Sequence, residues 1–169
     1  CFSPVWDTAI AAYALGEATD RPGRHNLNLT VNYAKGPFAA VISAQQVKVG
    51  PGLAAPIASQ KAQMAGLSYD FSVVKVYGQY FHTDTPDIRT QTRTIQLGVA
   101  VPVGAGRVMA SVARTQRETP LADSRRTTAA LGYDHYLSKR TDLYAVYLSD
   151  RLTGYAQRGS LALGVRHRF

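Results

Sequence analysis

The chain has 169 residues, the length of one ordinary domain, with 46% apolar and 18% charged residues, and a mean hydropathy of −0.14 spreads the apolar residues evenly along it. No run approaches the roughly 20 consecutive apolar residues of a membrane-spanning helix, whereas a membrane β-barrel, apolar only at every second position, stays open. Nineteen Lys plus Arg against 11 Asp plus Glu give a formal charge of +8, which favours an anionic partner, while plentiful Val, Ile, Tyr, Phe and Thr exclude a disordered chain.

The single cysteine, Cys1, excludes an internal disulfide. The chain opens there without Met or a basic-then-apolar leader, which reads as a processed or truncated piece; an acylated lipoprotein cysteine is the other reading.

In chain order, a strand is predicted at Ala9–Leu15, followed by a flawless alternation in which Leu27, Leu29, Val31 and Tyr33 share one side and Asn26, Asn28, Thr30 and Asn32 the other. Lys35-Gly36-Pro37 supplies turn chemistry, and Phe38–Val47 returns as the second arm of a hairpin. The same unit recurs at Lys61–Phe71, Val73–His82, Thr92–Val101, Arg107–Gln116, Arg125–Tyr136, Thr141–Ser149 and Gly159–Phe169. About ten strands and no apolar period of 3.6 residues make the chain all-β.

The connections alternate in length. Short ones fall at Lys35–Pro37, Ser72, Pro102–Gly106 and Leu137–Arg140; long polar ones fall at Glu17–His25, Lys48–Gln60, Thr83–Gln91, Arg117–Ser124 and Asp150–Arg158. An up-and-down antiparallel sheet puts every second connection at the same end, so one end carries tight turns and the other loops. A soluble ligand-binding barrel shares the alternation with the opposite sense. Small residues beside charges on the polar face (Gly98, Gly132 and Gly164 near Lys75, Arg126 and Arg166), aromatic residues toward strand ends, and a last strand that stops on Phe169 favour apolar residues facing lipid. The aromatic sets are Tyr33, Phe38, Tyr69, Phe71, Tyr133, Tyr136 and Phe169 at the short-turn end and Tyr80, Phe81, Tyr147 and Tyr155 at the loop end.

The terminal LGVRHRF, with AYALGE at Ala12–Glu17, VNYAKGPFAA at Val31–Ala40 and LSKRTDLYAVY at Leu137–Tyr147, resembles Gram-negative general porins of the β-proteobacterial type. The resemblance implies an outer-membrane, multi-pass transmembrane β-barrel. Residues 1–169 would form the C-terminal portion of a sixteen-stranded porin domain, a homotrimer when complete, whose terminal Phe169 is an assembly signal for the outer-membrane assembly machinery. It implies passive diffusion of ions and small hydrophilic solutes. The family's constriction loop matches no segment of this chain.

On the alternation, Lys75, Arg107, Arg126, Arg166 and Arg168 fall on the polar, pore-lining face, opposed by Asp70 and Asp134, so that small anions are the preferred solutes. Arg93, Arg114 and Arg125 fall on the apolar face at the loop end, a rim where they could meet the phosphates of lipopolysaccharide or snorkel into water. No enzyme is expected: GxSxG, HExxH and CxxC are absent, and Gly104-Ala105-Gly106-Arg107 lacks the rest of a dinucleotide loop. No cofactor and no metal are expected, His82, Asp84 and Asp87 reading as a solvated acidic loop, and a hydrolytic pairing of His135 with Ser138 is disfavoured. Nucleic acid is not expected as a partner, because no aromatic platform accompanies a basic stripe. The alternative function is a small non-conducting outer-membrane barrel, closed on its own ten strands, acting as an anchor or interaction protein.

Overall fold

The computed structural model describes residues 6–15, 25–48 and 59–168. Ten strands follow one another in a single sheet whose spatial order is their chain order, every neighbouring pair antiparallel. They are β1 (Trp6–Leu15), β2 (His25–Lys35), β3 (Phe38–Lys48), β4 (Ser59–Asp70), β5 (Lys75–Thr85), β6 (Thr90–Val103), β7 (Gly106–Glu118), β8 (Ser124–Tyr136), β9 (Thr141–Leu152) and β10 (Arg158–His167). Strands of 10 to 14 residues match or exceed the roughly 9 to 11 that a tilted transmembrane strand needs.

The tight turns follow from local chemistry. Two-residue connections join β2 to β3 and β6 to β7, and each opens on a glycine at positive φ (Gly36 and Gly104, both 57°), a conformation that side chains resist and that matches the twist of a two-residue hairpin. Between β4 and β5, Ser72 also takes positive φ (71°), held by its N–H donating to Asp70 Oδ1 at 2.8 Å. At the opposite end the contrast is weaker than the sequence suggests. β5 to β6 is crossed by Pro86–Arg89 alone, because Thr83, Asp84, Thr85, Thr90 and Gln91 stay in the ladder. Arg117 and Glu118, and likewise Asp150 to Leu152, extend β7 and β9 in the same way. Polarity marked these residues as loop, but a strand projecting beyond the apolar layer keeps its hydrogen bonds whatever its side chains.

Register carries one apolar face across the sheet. Val31 pairs with Ile42, Leu67 stands between Ala40 and Gly78, Leu97 between Gly78 and Val112, and Leu131, Tyr147 and Leu161 form the adjacent row of the same face, which starts from Ala110. These side chains are open: Leu97 is 58% and Leu163 73% exposed, and among the described residues no apolar side chain is buried. A soluble barrel would turn them toward its centre, whereas here they lie on the face away from the hollow side of the sheet. On β6 the outward residues Ile95 to Val103 cover about 27 Å of strand, or about 21 Å when tilted by ~40°, close to the ~25 Å apolar band of such sheets. Tyr33, Phe38, Tyr69 and Phe71 cluster at its short-turn edge, ring centroids 6.1 Å apart for the first two and 4.5 Å for the last two. Tyr136 and Phe81, assigned to the aromatic edges from sequence, lie instead on the opposite face, paired with Asp142 and with Met64 and Thr94. Their positions near strand ends misled; parity decides.

β1 and β10 are the two edges of the sheet and do not pair with each other. The ten described strands therefore do not close into a small barrel of their own.

Candidate functional site

The other face is polar and concave. Asn28, Thr30, Asn32, Thr94, Gln96 and Arg166 share it as the alternation requires, and a cavity of about 690 Å³ lies against it. Hydroxyls meet across strands, Thr30 with Ser43 at 2.8 Å and Thr94 with Thr115 at 2.9 Å. Such side-chain pairing on a face open to water adds to the ladder beneath it.

All seven residues assigned to this face from sequence are found on one side of the sheet. Lys75 stands opposite Asp70, Arg107 opposite Asp134, and Arg126 opposite Thr115; Arg166 is on β10 opposite Asp142. Arg168 follows β10 in the same alternation, its backbone N–H donating to Arg140 O at 2.9 Å.

Arg107 is joined to Asp134, but Arg166 and Arg126 are joined to two carboxylates that the sequence reading left out, Asp142 and Asp150. Near the short turns, Arg166 donates from Nε to Asp142 Oδ1 (3.0 Å) and from Nη2 to Asp142 Oδ2 (2.7 Å), a two-pronged contact that fixes both side chains. Arg107 donates to Asp134 Oδ2 at 2.9 Å, and Arg166 reaches the same oxygen at 3.7 Å. Asp134 and Asp142 are each only 5% exposed. Toward the long connections, Arg126 grips both oxygens of Asp150 at 2.7 to 3.0 Å, while Thr128 Oγ1 donates to Asp150 Oδ1 at 2.9 Å.

Five cations against two anions thus becomes seven against four on this face, because Arg117 and Arg158 join it with Asp142 and Asp150. The excess of three positive charges is the same. Parity from Arg166 reaches Arg158, so that residue was findable in the sequence. On β9 both faces mix polar and apolar residues, and it is pairing with β8 and β10 that assigns Asp142 and Asp150.

On the opposite, apolar face, Arg93 and Arg125 both pair with Gln116, and Arg114 lies one register row deeper, between Ile95 and Thr127. Arg151, opposite Thr127, extends this group to a fourth strand. Among the described residues none of the four makes an ion pair; Arg93 Nη2 reaches Gln91 Oε1 at 3.5 Å. His82, Asp84 and Asp87 do not converge: His82 and Asp84 point to this apolar side of β5, whereas Asp87 Oδ2 accepts the Ser59 N–H at 2.7 Å. His135 Nδ1 lies 3.3 Å from Tyr133 Oη, and Ser138 Oγ accepts two backbone N–H groups of its own turn, so no catalytic pair forms between them. Phe169 lies outside the described residues.

Ten sequential antiparallel strands, apolar outside and polar within the curve, have a match among known families. The profile of the Gram-negative porins covers residues 6–155. The chain belongs to that family. It is 30% identical over 165 residues to outer membrane porin protein 32 of Delftia acidovorans, an alignment covering 82% of this chain and 45% of the relative. An anion-selective porin from Comamonas acidovorans matches in structure with 26% identity and a TM-score of 0.64, over 86% of this chain and 49% of that one. A loop-L8 deletion mutant of OmpT, an outer membrane protein of Vibrio cholerae, matches with a TM-score of 0.75 at 16% identity, over 96% of this chain and 60% of that one, and shares the fold. The chain spans about half the length of the porins it resembles in sequence. As a porin, it belongs to the outer membrane and crosses it repeatedly by strands.

Proposed function

We propose that this chain forms part of the wall of a water-filled outer-membrane channel through which ions and small hydrophilic solutes diffuse passively, with a preference for anions and no chemical step. The observation that carries this reading is the positive excess on a continuous concave polar face, seven cations against four carboxylates. Within a Debye length of roughly 8 Å such an excess enriches anions and depletes cations. The anion-selective porin of Comamonas acidovorans, similar over most of this chain, supports the same sign. The test is reconstitution of the intact protein into a planar bilayer across a salt gradient. Conductance with a reversal potential displaced toward that of chloride is expected; cation selectivity would overturn the preference, and absence of conductance would overturn the channel.

On this reading residues 1–169 are the C-terminal portion of a larger barrel, and the edges at β1 and β10 pair with strands outside the chain. The complete protein is a homotrimer, with the small outward residues Ala40 and Ala44 permitting close approach; cross-linking that yields only monomers in mild detergent would remove this. Arg93, Arg114 and Arg125, outward and not ion-paired among the described residues, form a rim for lipopolysaccharide phosphates. Unchanged lipopolysaccharide retention after all three are replaced by Gln would contradict that role.

A further inference from the structure

One uncharged band of the polar face is mostly small and apolar, interrupted by Ser68, Gln79, Gln96 and Ser111. Between the Arg107 and Arg166 ion pairs at one end and the Arg126–Asp150 pair at the other, Val41, Gly66, Gly98, Met109, Gly132 and Val146 face the same way and line the 690 Å³ cavity. The space comes from small residues in register: Gly98 sits between Tyr77 and Ser111, and Gly132 between Met109 and Val146. A Cβ added at Gly132 would meet Met109 Cε and Val146 Cγ2 at 3.6 Å, which is ordinary contact. Packing does not demand glycine there, so the consequence of glycine is the open volume, which is within the ~300 to 1,000 Å³ of small-molecule sites.

Two cations stand at the short-turn end of this hollow, Arg107 in its lining and Lys75 beside it. Lys75 pairs with Ala100, which also pairs with Met109, and Arg107 is opposite Pro102. The two basic side chains therefore flank the Ala100–Pro102 stretch of β6 from strands roughly 10 Å apart. Neither cation is fully committed. Asp70, opposite Lys75, accepts the Ser72 N–H, and the Lys75 ammonium lies 5.5 Å from the centre of the Tyr77 ring. Arg107 gives one nitrogen to Asp134, with its side chain still 40% exposed.

A small inorganic anion uses these cations and leaves the apolar band wet, while a neutral apolar molecule covers the band and gains nothing from the charges. A monocarboxylate with an aromatic or branched body uses both. We infer that the hollow is a transit subsite for such carboxylates, with the carboxylate between Lys75 and Arg107 and the apolar body over Gly98, Met109 and Gly132. The inference rests on the polar face being the pore wall, and it names a solute class that charge alone does not select. Holding must be weak enough for release, as in any conducting site.

Benzoate and acetate carry the same charge and differ in the body, so they form the test. In bilayers of the intact protein, benzoate should reduce chloride current at about a tenfold lower concentration than acetate, the gain expected from covering one ring's worth of apolar surface only in part. Gly132→Val should bring the two within about twofold while the chloride reversal potential stays unchanged, because it fills volume and moves no charge. Calorimetric titration of benzoate into the detergent-folded protein reads the same subsite without conductance. A protein that binds benzoate but conducts nothing would sink the channel reading and keep the site. Equal potency of benzoate and acetate, or a Gly132→Val protein that behaves as wild type, overturns the inference. Should Gly132→Val fail to fold, Ala100→Leu fills the same hollow; loss of folding in both would mean that a segment of the protein itself occupies the space, which also overturns it.

Discussion

At the scale of single residues, the polar face is organised by arginines that share carboxylates. Asp134 and Asp142 are almost wholly covered, and a covered carboxylate persists only where cations and hydrogen bonds compensate its lost hydration. Arg166 serves both, Asp142 at 2.7 Å and Asp134 at 3.7 Å. Asp142→Asn removes one negative charge and leaves Arg166 to Asp134, so the reversal potential should move further toward that of chloride. Arg166→Gln should move it the other way and also lower the urea midpoint of the folded protein in lipid vesicles, because two carboxylates lose a partner. Movement in the same direction for both variants would show that this cluster does not act through its charge. Arg107, Arg126 and Arg166 were legible as polar-face residues, since each sits in a strand whose alternation is clear. Asp134 was legible with them, but the β9 partners Asp142 and Asp150 were not. In β9 the polar face carries Tyr144, Val146 and Leu148 between its two aspartates, so hydropathy assigns no side to that strand.

At the scale of the strands, parity sets the cost of a charge. Arg93 and Arg125 share a register row near the loop end, whereas Val99 lies in the middle of the apolar stretch, between Val76 and Ala110. Val99→Arg should therefore destabilise the protein by about 2–4 kcal/mol, the cost of arginine at the bilayer midplane, while Gln96→Arg, on the polar face of the same strand, should cost little. Urea unfolding in lipid vesicles measures both, and equal costs would mean that the faces are wrongly assigned. The ten strands and their faces were legible because a period of two survives in nearly every one. Their ends at the long connections were not, since Thr85, Thr90 and Glu118 look like loop residues and pair as strand. β10 carries a separate expectation: deleting Phe169, the assembly signal implied by the family resemblance, should reduce outer-membrane yield more than it reduces strand content after refolding in detergent. Equal yields with and without Phe169 would count against it.

At the scale of the whole molecule, the sheet inverts the arrangement of a soluble barrel, and its electrostatics follow from that inversion. On the proposed function, cations on the concave side act on solutes in water and those on the convex side on the lipid boundary, so the two groups should separate experimentally. On the concave side Lys75, Arg117 and Arg158 make no ion pair among the described residues. Replacing these three by Gln removes the excess of three charges without exposing a carboxylate, and it should abolish most of the anion preference. Arg93, Arg114 and Arg125 replaced together remove the same charge from the convex side and should leave the reversal potential where it was. The difference must also depend on salt: screening shortens from roughly 10 Å at 0.1 M to about 3 Å at 1 M, so the concave-side effect should be large in dilute salt and small in concentrated salt. An anion preference that survives the concave-side replacement, or one that is equally strong at both salt concentrations, would place its origin outside these strands.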